Sequence, residues 1–170
     1  MSFSEINPKD LEENAIKLIG LDWMLLTAGN KEKYNMMTAS WGGLGVLWHK
    51  PVCFIFVRPS RHTFQFVKNN QNFSLSFFDS DYRSILNFCG AKSGRNINKM
   101  EEVALTPIER EGTIYFEEAR LVLICKKLYY HDLEKSHFLH DLTEQFYKQE
   151  NFHRMYIGEI VSCLLKKNKR

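Results

Sequence analysis

The 170-residue sequence has no CxxC pair, no apolar run of membrane-spanning length and no broad excess of one charge sign. Its four cysteines, Cys53, Cys89, Cys125 and Cys163, stand far apart, which argues against a disulfide framework or a zinc ribbon and leaves reduced, buried thiols. Lys and Arg number 23 against 20 Asp and Glu, and the net charge of +3 is spread along the chain, so no nucleic-acid partner is expected. The one dense basic cluster, "LLKKNKR" at the end, reads as a solvated terminus. The opening "MSFSEINPKDLEENAIKLIG" lacks the charged start and apolar core of a signal peptide, so a cytoplasmic protein with no membrane partner is expected. No repeat, linker or low-complexity stretch divides the chain. A single domain over residues 1–170 follows, with 1–20 as its helical flank.

Aromatic residues are plentiful at 14%, with 13 Phe, and need a core or a flat ligand to pack against. Leu11, Ile16 and Ile19 fall on helical spacing and Gly20 offers a stop, which predicts a short helix acting as lid or flank. From "LDWMLLTAGN" onward the runs are short and punctuated. "YNMMTASW", a glycine-rich bend at Gly42, Gly43 and Gly45, and "PVCFIFVRP" read as strand, bend and strand, the last buried on both faces. "SRHTFQFVKNN" predicts a helix of two or three turns. "NFSLSFFD" alternates, with Phe73, Leu75 and Phe77 on one face of a strand and Ser74 and Ser76 on the other. "DYRSILNFCGAKSGRNINKMEEV" reads as helix, loop and helix, and the remainder holds three or four more strands. The fold class is mainly β with flanking helices, in a closed or nearly closed antiparallel barrel.

The segment from Asn35 to Phe64 concentrates the chemistry. In "MMTASWGG", small residues followed by glycines let a flat ligand lie against backbone, with amides and hydroxyls free to bond its edge. In "VRPSRHT", two arginines, a serine and a threonine lie where a strand gives way to a helix, a set suited to phosphate. A flat polar ring at one end and a phosphate at the other describe a mononucleotide, FMN among them. Taken singly, the same glycines build a bend, the tryptophans fill a core and the arginines pair on a surface.

"NMMTASWGGLGVLWHKPVCFIFVRPSRHT", "LSFF", "CGAKSG" and "HRMYIGEI" together resemble the flavin reductase-like family of FMN-binding split-barrel flavoproteins, over about Asn35 to Cys163. The resemblance implies a six-stranded Greek-key split β-barrel, a homodimer, and FMN near the dimer interface. It implies that Thr38, Ala39, Ser40 and Trp41 line the isoalloxazine and that Ser60, Arg61 and Thr63 hold the phosphate, with Arg58 beside them. Phe78 would touch the ring or ribityl chain. The loop from Cys89 would close over the phosphate through Lys92 and Ser93, and His153 and Tyr156 would stand at the outer end.

Rival motifs are weaker. "GAKSG" fails as a P-loop, because Ala91 and Leu86 occupy its two glycine positions. His137 and His140 could share a helical face with His131 nearby, but ligand count and geometry for a metal are lacking, and none is expected. Cys89 has no nucleophile context. The expected function is an FMN-dependent oxidoreductase passing electrons from NADH or NADPH to an unidentified small-molecule acceptor, with no catalytic acid or base required. No dinucleotide fingerprint is present, so the nicotinamide would stack on the flavin without a Rossmann domain. A flavin storage or sensing module uses the same residues, and a barrel stacking another ligand on its aromatics is the third reading.

Overall fold

The computed structural model describes residues 3–167, so the last three residues of the basic tail lie outside the described residues. Ten strands form: β1 (Phe3–Ile6), β2 (Met24–Gly29), β3 (Tyr34–Ala39), β4 (Gly42–Leu47), β5 (Lys50–Val57), β6 (Asn72–Phe77), β7 (Pro107–Arg110), β8 (Thr113–Phe116), β9 (Leu121–Asp132) and β10 (Arg154–Lys166). The main sheet is antiparallel throughout, in the order β3-β2-β6-β9-β10-β5-β4, with β1 added to β10 and β7-β8 a separate hairpin. Seven strands lie on that path, one more than the six expected, and β1, β7 and β8 flank it.

The edge strands β3 and β4 lie at opposite ends of that order, yet only Ser40 and Trp41 separate them in sequence. A two-residue link reaches no more than about 11 Å, so the sheet must curl until its edges meet there. Inside, Met24, Leu26, Cys53, Ile55, Val57, Phe73, Leu75 and Phe77 form one buried cluster. A second cluster, around Leu25, Met36, Leu86, Ile114, Phe116 and Val122, lies on the other face beneath the β7-β8 hairpin.

β6 alternates as expected and is covered on both faces. Ser74 and Ser76 are as buried as the phenylalanines they alternate with, and Ser74 Oγ donates to Ile114 O at 2.5 Å. β5 differs the other way: Cys53, Ile55 and Val57 point inward, while Phe54 and Phe56 are half-buried on the opposite face. The glycines 42, 43 and 45 lie within β4 rather than in a bend, since a Cβ on Gly42 would stand 2.5 Å from Phe54 O. The bend comes later, at Trp48 and His49, whose φ values of 52° and 59° make the two-residue hairpin turn usually given to Asn-Gly.

The helices are α1 (Ala15–Lys17), continuing as a π turn over Leu18–Asp22, then α2 (Thr63–Asn69), α3 (Arg83–Ala91), α4 (Lys99–Glu102) and α5 (Thr143–Phe146). The expected N-terminal helix is broken in two. Asn7 caps a 3-10 turn at Pro8–Asp10, Asn14 caps α1, and each cap starts its own element. Among the described residues no helix is long and apolar enough to cross a membrane. All four cysteines are buried and free, with Cys53 Sγ 3.4 Å from Cys125 Sγ.

Candidate functional site

Where β5 ends at Val57, the chain turns: Arg61 N–H donates to Arg58 O at 2.9 Å and Phe64 N–H to Arg61 O at 3.0 Å, leading into α2. This turn, the end of β3, the loop after α3 and the residues before β10 enclose an open cavity of about 920 Å³. It gathers Thr38, Ala39, Ser40 and Trp41 from the β3–β4 seam, and Arg58, Ser60, Arg61 and Thr63 from the turn. Lys92 and Ser93 come from the loop and His153 from beside β10.

Hydrogen bonds set the hydroxyls. Asn35 Nδ2 donates to Thr63 Oγ1 at 2.8 Å and Asn151 Nδ2 to Ser60 Oγ at 2.6 Å. Each hydroxyl oxygen is thereby engaged as acceptor, and its proton is available to a ligand. Thr38 Oγ1 spends its own proton on Leu86 O at 2.5 Å, which locks the β3 end to α3.

Charge is the site's strongest feature. Arg58, Arg61, Lys92, Arg95 and Lys99 line the cavity, and no Asp or Glu does among the described residues. Lys99 is buried, with Nζ donating to Met36 O at 3.0 Å and Cys89 O at 2.7 Å, while Arg61 Nη1 donates to Gly90 O at 3.0 Å. Two cations thus cap the carbonyl end of α3. Burial, with Arg61's charge adding to it, lowers the Lys99 pKa below that of an ordinary lysine. His62 is lowered by burial and by Arg95, Lys33 and Lys99. His153 is pushed down to about 4, by burial first and then by Arg58 and Arg61. It stays neutral at physiological pH, with Tyr147 OH 2.8 Å from its Nδ1 and Arg58 Nε 3.4 Å from its Nε2.

Three expected residues lie off this cavity. Tyr156 points inward from β10 and packs near Phe64, with ring centroids 6.5 Å apart. Cys89 is enclosed in α3, where burial raises its thiol pKa to about 11 and keeps it protonated. Phe78 lines a second cavity, of about 480 Å³, with Arg120, Arg83, Glu13 and Asp22. The N-terminal flank borders that second cavity too, through Glu13 and Lys17, and is no lid on the first.

Sequence reading named no role for Asn35, three residues before Thr38 on β3, nor for Arg95, Lys99 and Asn151, which face the first cavity from farther along the chain. Their signal was faint: "RNINK" places two cations within five residues of a helix start. His137 ends a short 3-10 turn and Phe138 is extended, so His137 and His140 share no helical face. Among the described residues no group of three or more His, Cys, Asp or Glu could hold a metal ion.

A model of the flavin reductase like domain matches residues 19–170. No curated protein is a match for the chain. Among solved structures, an FMN-binding protein from Thermus thermophilus shares 18% identity at a TM-score of 0.68, covering 86% of this chain and 72% of that one. A flavoredoxin from Methanosarcina acetivorans shares 24% at 0.67, covering 86% and 69%. A candidate flavin reductase with a split barrel domain from Shewanella frigidimarina shares 19% at 0.68, covering 99% and 81%. At such identities the structures speak for the fold, a split barrel, and the domain match over most of the chain settles the lineage: the protein belongs to the flavin reductase like family.

Proposed function

We propose that the large cavity binds FMN and that the protein is an FMN-dependent oxidoreductase. The observation that carries this reading is a cavity with five cations and no carboxylate, walled at the seam by small residues and an aromatic. Such a site lacks a counter-charge that an anionic ligand would supply. The Thermus thermophilus neighbour is described as FMN-binding, which agrees with it.

In this reading Arg61, Lys92 and Lys99 surround the phosphate, with Thr63, Ser60 and Ser93 giving hydroxyl protons. Thr38, Ala39, Ser40 and Trp41 lie along the ring, with Met37 and Phe56 as apolar wall. Ser40 and Trp41 fall between the β3 and β4 ladders, so their backbone N–H groups are free of strand pairing and favour negative charge developing on a ring beside them. Bound FMN supplies hydride and electron transfer, and no side chain need act as acid or base. The reductant is NADH or NADPH, stacking on the ring face. A homodimer belongs to the same proposal, with the exposed Val46 and Trp48 of the β4–β5 hairpin as apolar surface for a second copy.

The test is the visible spectrum of the purified protein, an FMN titration, then anaerobic addition of NADH and NADPH. A flavin band that bleaches with either is expected. A colourless protein that takes up no FMN overturns the reading, and bound flavin inert to both nucleotides removes the proposed donor.

A further inference from the structure

The cavity's cations differ in what they bond. Arg61 and Lys99 bond the carbonyls of Gly90, Cys89 and Met36, and Gly94 of the same loop lies close against Asn35 and His62. Arg58 bonds a different segment. Its Nη2 donates to Phe146 O at 2.9 Å, its Nε stands 3.4 Å from His153 Nε2, and its guanidinium lies 5.4 Å from the Tyr147 ring centroid. Trp41 closes the same corner, with its ring 5.1 Å from that of His153 and 5.5 Å from that of Phe146. The resemblance sets Arg58 beside the phosphate hydroxyls, but its bonds run to the 146–153 segment instead.

Every partner in that corner is neutral. A guanidinium keeps its charge in all surroundings and presents a planar fork that fits a carboxylate edge-on. Beside it, Trp41 exposes 44% of its surface, and its indole offers a face for another flat ring. The cavity's 920 Å³ lies near the top of the range for ligand pockets, roughly 300–1,000 Å³, which leaves room for a small ring beside a mononucleotide.

Building on the FMN reading, we infer that Arg58 and Trp41 form a second anion subsite, which takes the carboxylate of a small aromatic reactant. The ring stacks on Trp41 while the carboxylate meets the guanidinium, displacing its contact with Phe146 O. The flavin's reaction partner is therefore an aryl carboxylate rather than a neutral arene.

The experiment follows the Trp41 indole N–H by ¹⁵N NMR, assigned with Trp41→Phe, during titration with benzoate and with its neutral isostere benzamide, before and after addition of FMN. Benzoate is expected to shift the Trp41 signal saturably at about tenfold lower concentration than benzamide, a preference of about 1.4 kcal/mol. Arg58→Gln should erase the preference, and Arg58→Lys, which keeps the charge without the fork, should retain part of it and serves if the glutamine variant does not fold. Equal response to the two probes overturns the inference, as does a benzoate preference that survives in the Arg58 variants or vanishes instead in Arg61→Gln. FMN uptake in the same samples, read by flavin fluorescence, reports on the cofactor alone. Benzoate selectivity without FMN uptake would remove the flavin and leave the subsite; the reverse would do the opposite.

Discussion

In the smaller cavity Arg120 lies among Glu13, Asp22 and Asp79, and Lys17 pairs with Asp22 at 2.7 Å. In the larger, five cations line the wall and, among the described residues, no acid does. Burial works against Arg120's charge, but the hydrogen bonds it donates to Glu13 and the attraction of Glu13, Asp22 and Asp79 hold its pKa above the ordinary arginine value. Lys99, His62 and His153 are shifted in the other sense, toward their neutral forms. The smaller cavity has solved its electrostatics within the chain, joining the N-terminal flank to the barrel. The larger one has a deficit that a ligand can fill. The two cavities differ in charge balance as well as in size.

Acid should separate the two most strongly. The unfolded chain takes up a proton on His153 near pH 6.5, whereas the folded chain holds it off until about pH 4. Between those values the unfolded state binds more protons, so stability falls as pH drops and the loss is complete below 4. A shift of that size corresponds to as much as about 3 kcal/mol for this buried ring. Thermal melts from pH 7 to pH 4 should show the decline in wild type and a flatter profile in His153→Gln. Parallel profiles would mean that neither burial nor the neighbouring arginines hold this histidine neutral.

The next effect is on ligand affinity. Arg61→Ala should weaken FMN binding by about 1.5–3 kcal/mol, roughly ten- to a hundredfold, because it removes a charged donor from the phosphate end. An FMN titration unchanged by the substitution would place the phosphate elsewhere. The smallest effect belongs to the compensated cavity. Arg120→Met should lower stability by roughly 1–2 kcal/mol, discounted for partial exposure, while FMN affinity stays within about twofold. A large loss of FMN affinity in this variant would dissolve the contrast between the cavities.

The parts legible in the sequence were those whose signal is local. The strand "VCFIFV", the helix starting at Thr63 and the seam at Thr38–Trp41 each follow from residues adjacent in the chain. That both faces of β6 are covered could not be read from alternation, because the β7-β8 hairpin that covers Ser74 lies some 40 residues downstream. Lys99 reaches the cavity only where α4 packs against β3 and α3, and the two cations of "RNINK" are its one local sign. Phe78, Cys89 and Tyr156 illustrate the converse: they stand within motif-like stretches, yet helix and strand geometry turns them away from the large cavity.

Ser40 and Trp41 do two jobs at once. They stitch the two free edges of the sheet together, and they form a wall of the cavity. An inserted or deleted residue at this seam would change the closure of the barrel and the shape of the pocket in one step, whereas the hairpin at Trp48–His49 can vary without touching either. Lineages diverging from this protein would therefore hold the seam's length fixed and diversify specificity through the identity of its side chains.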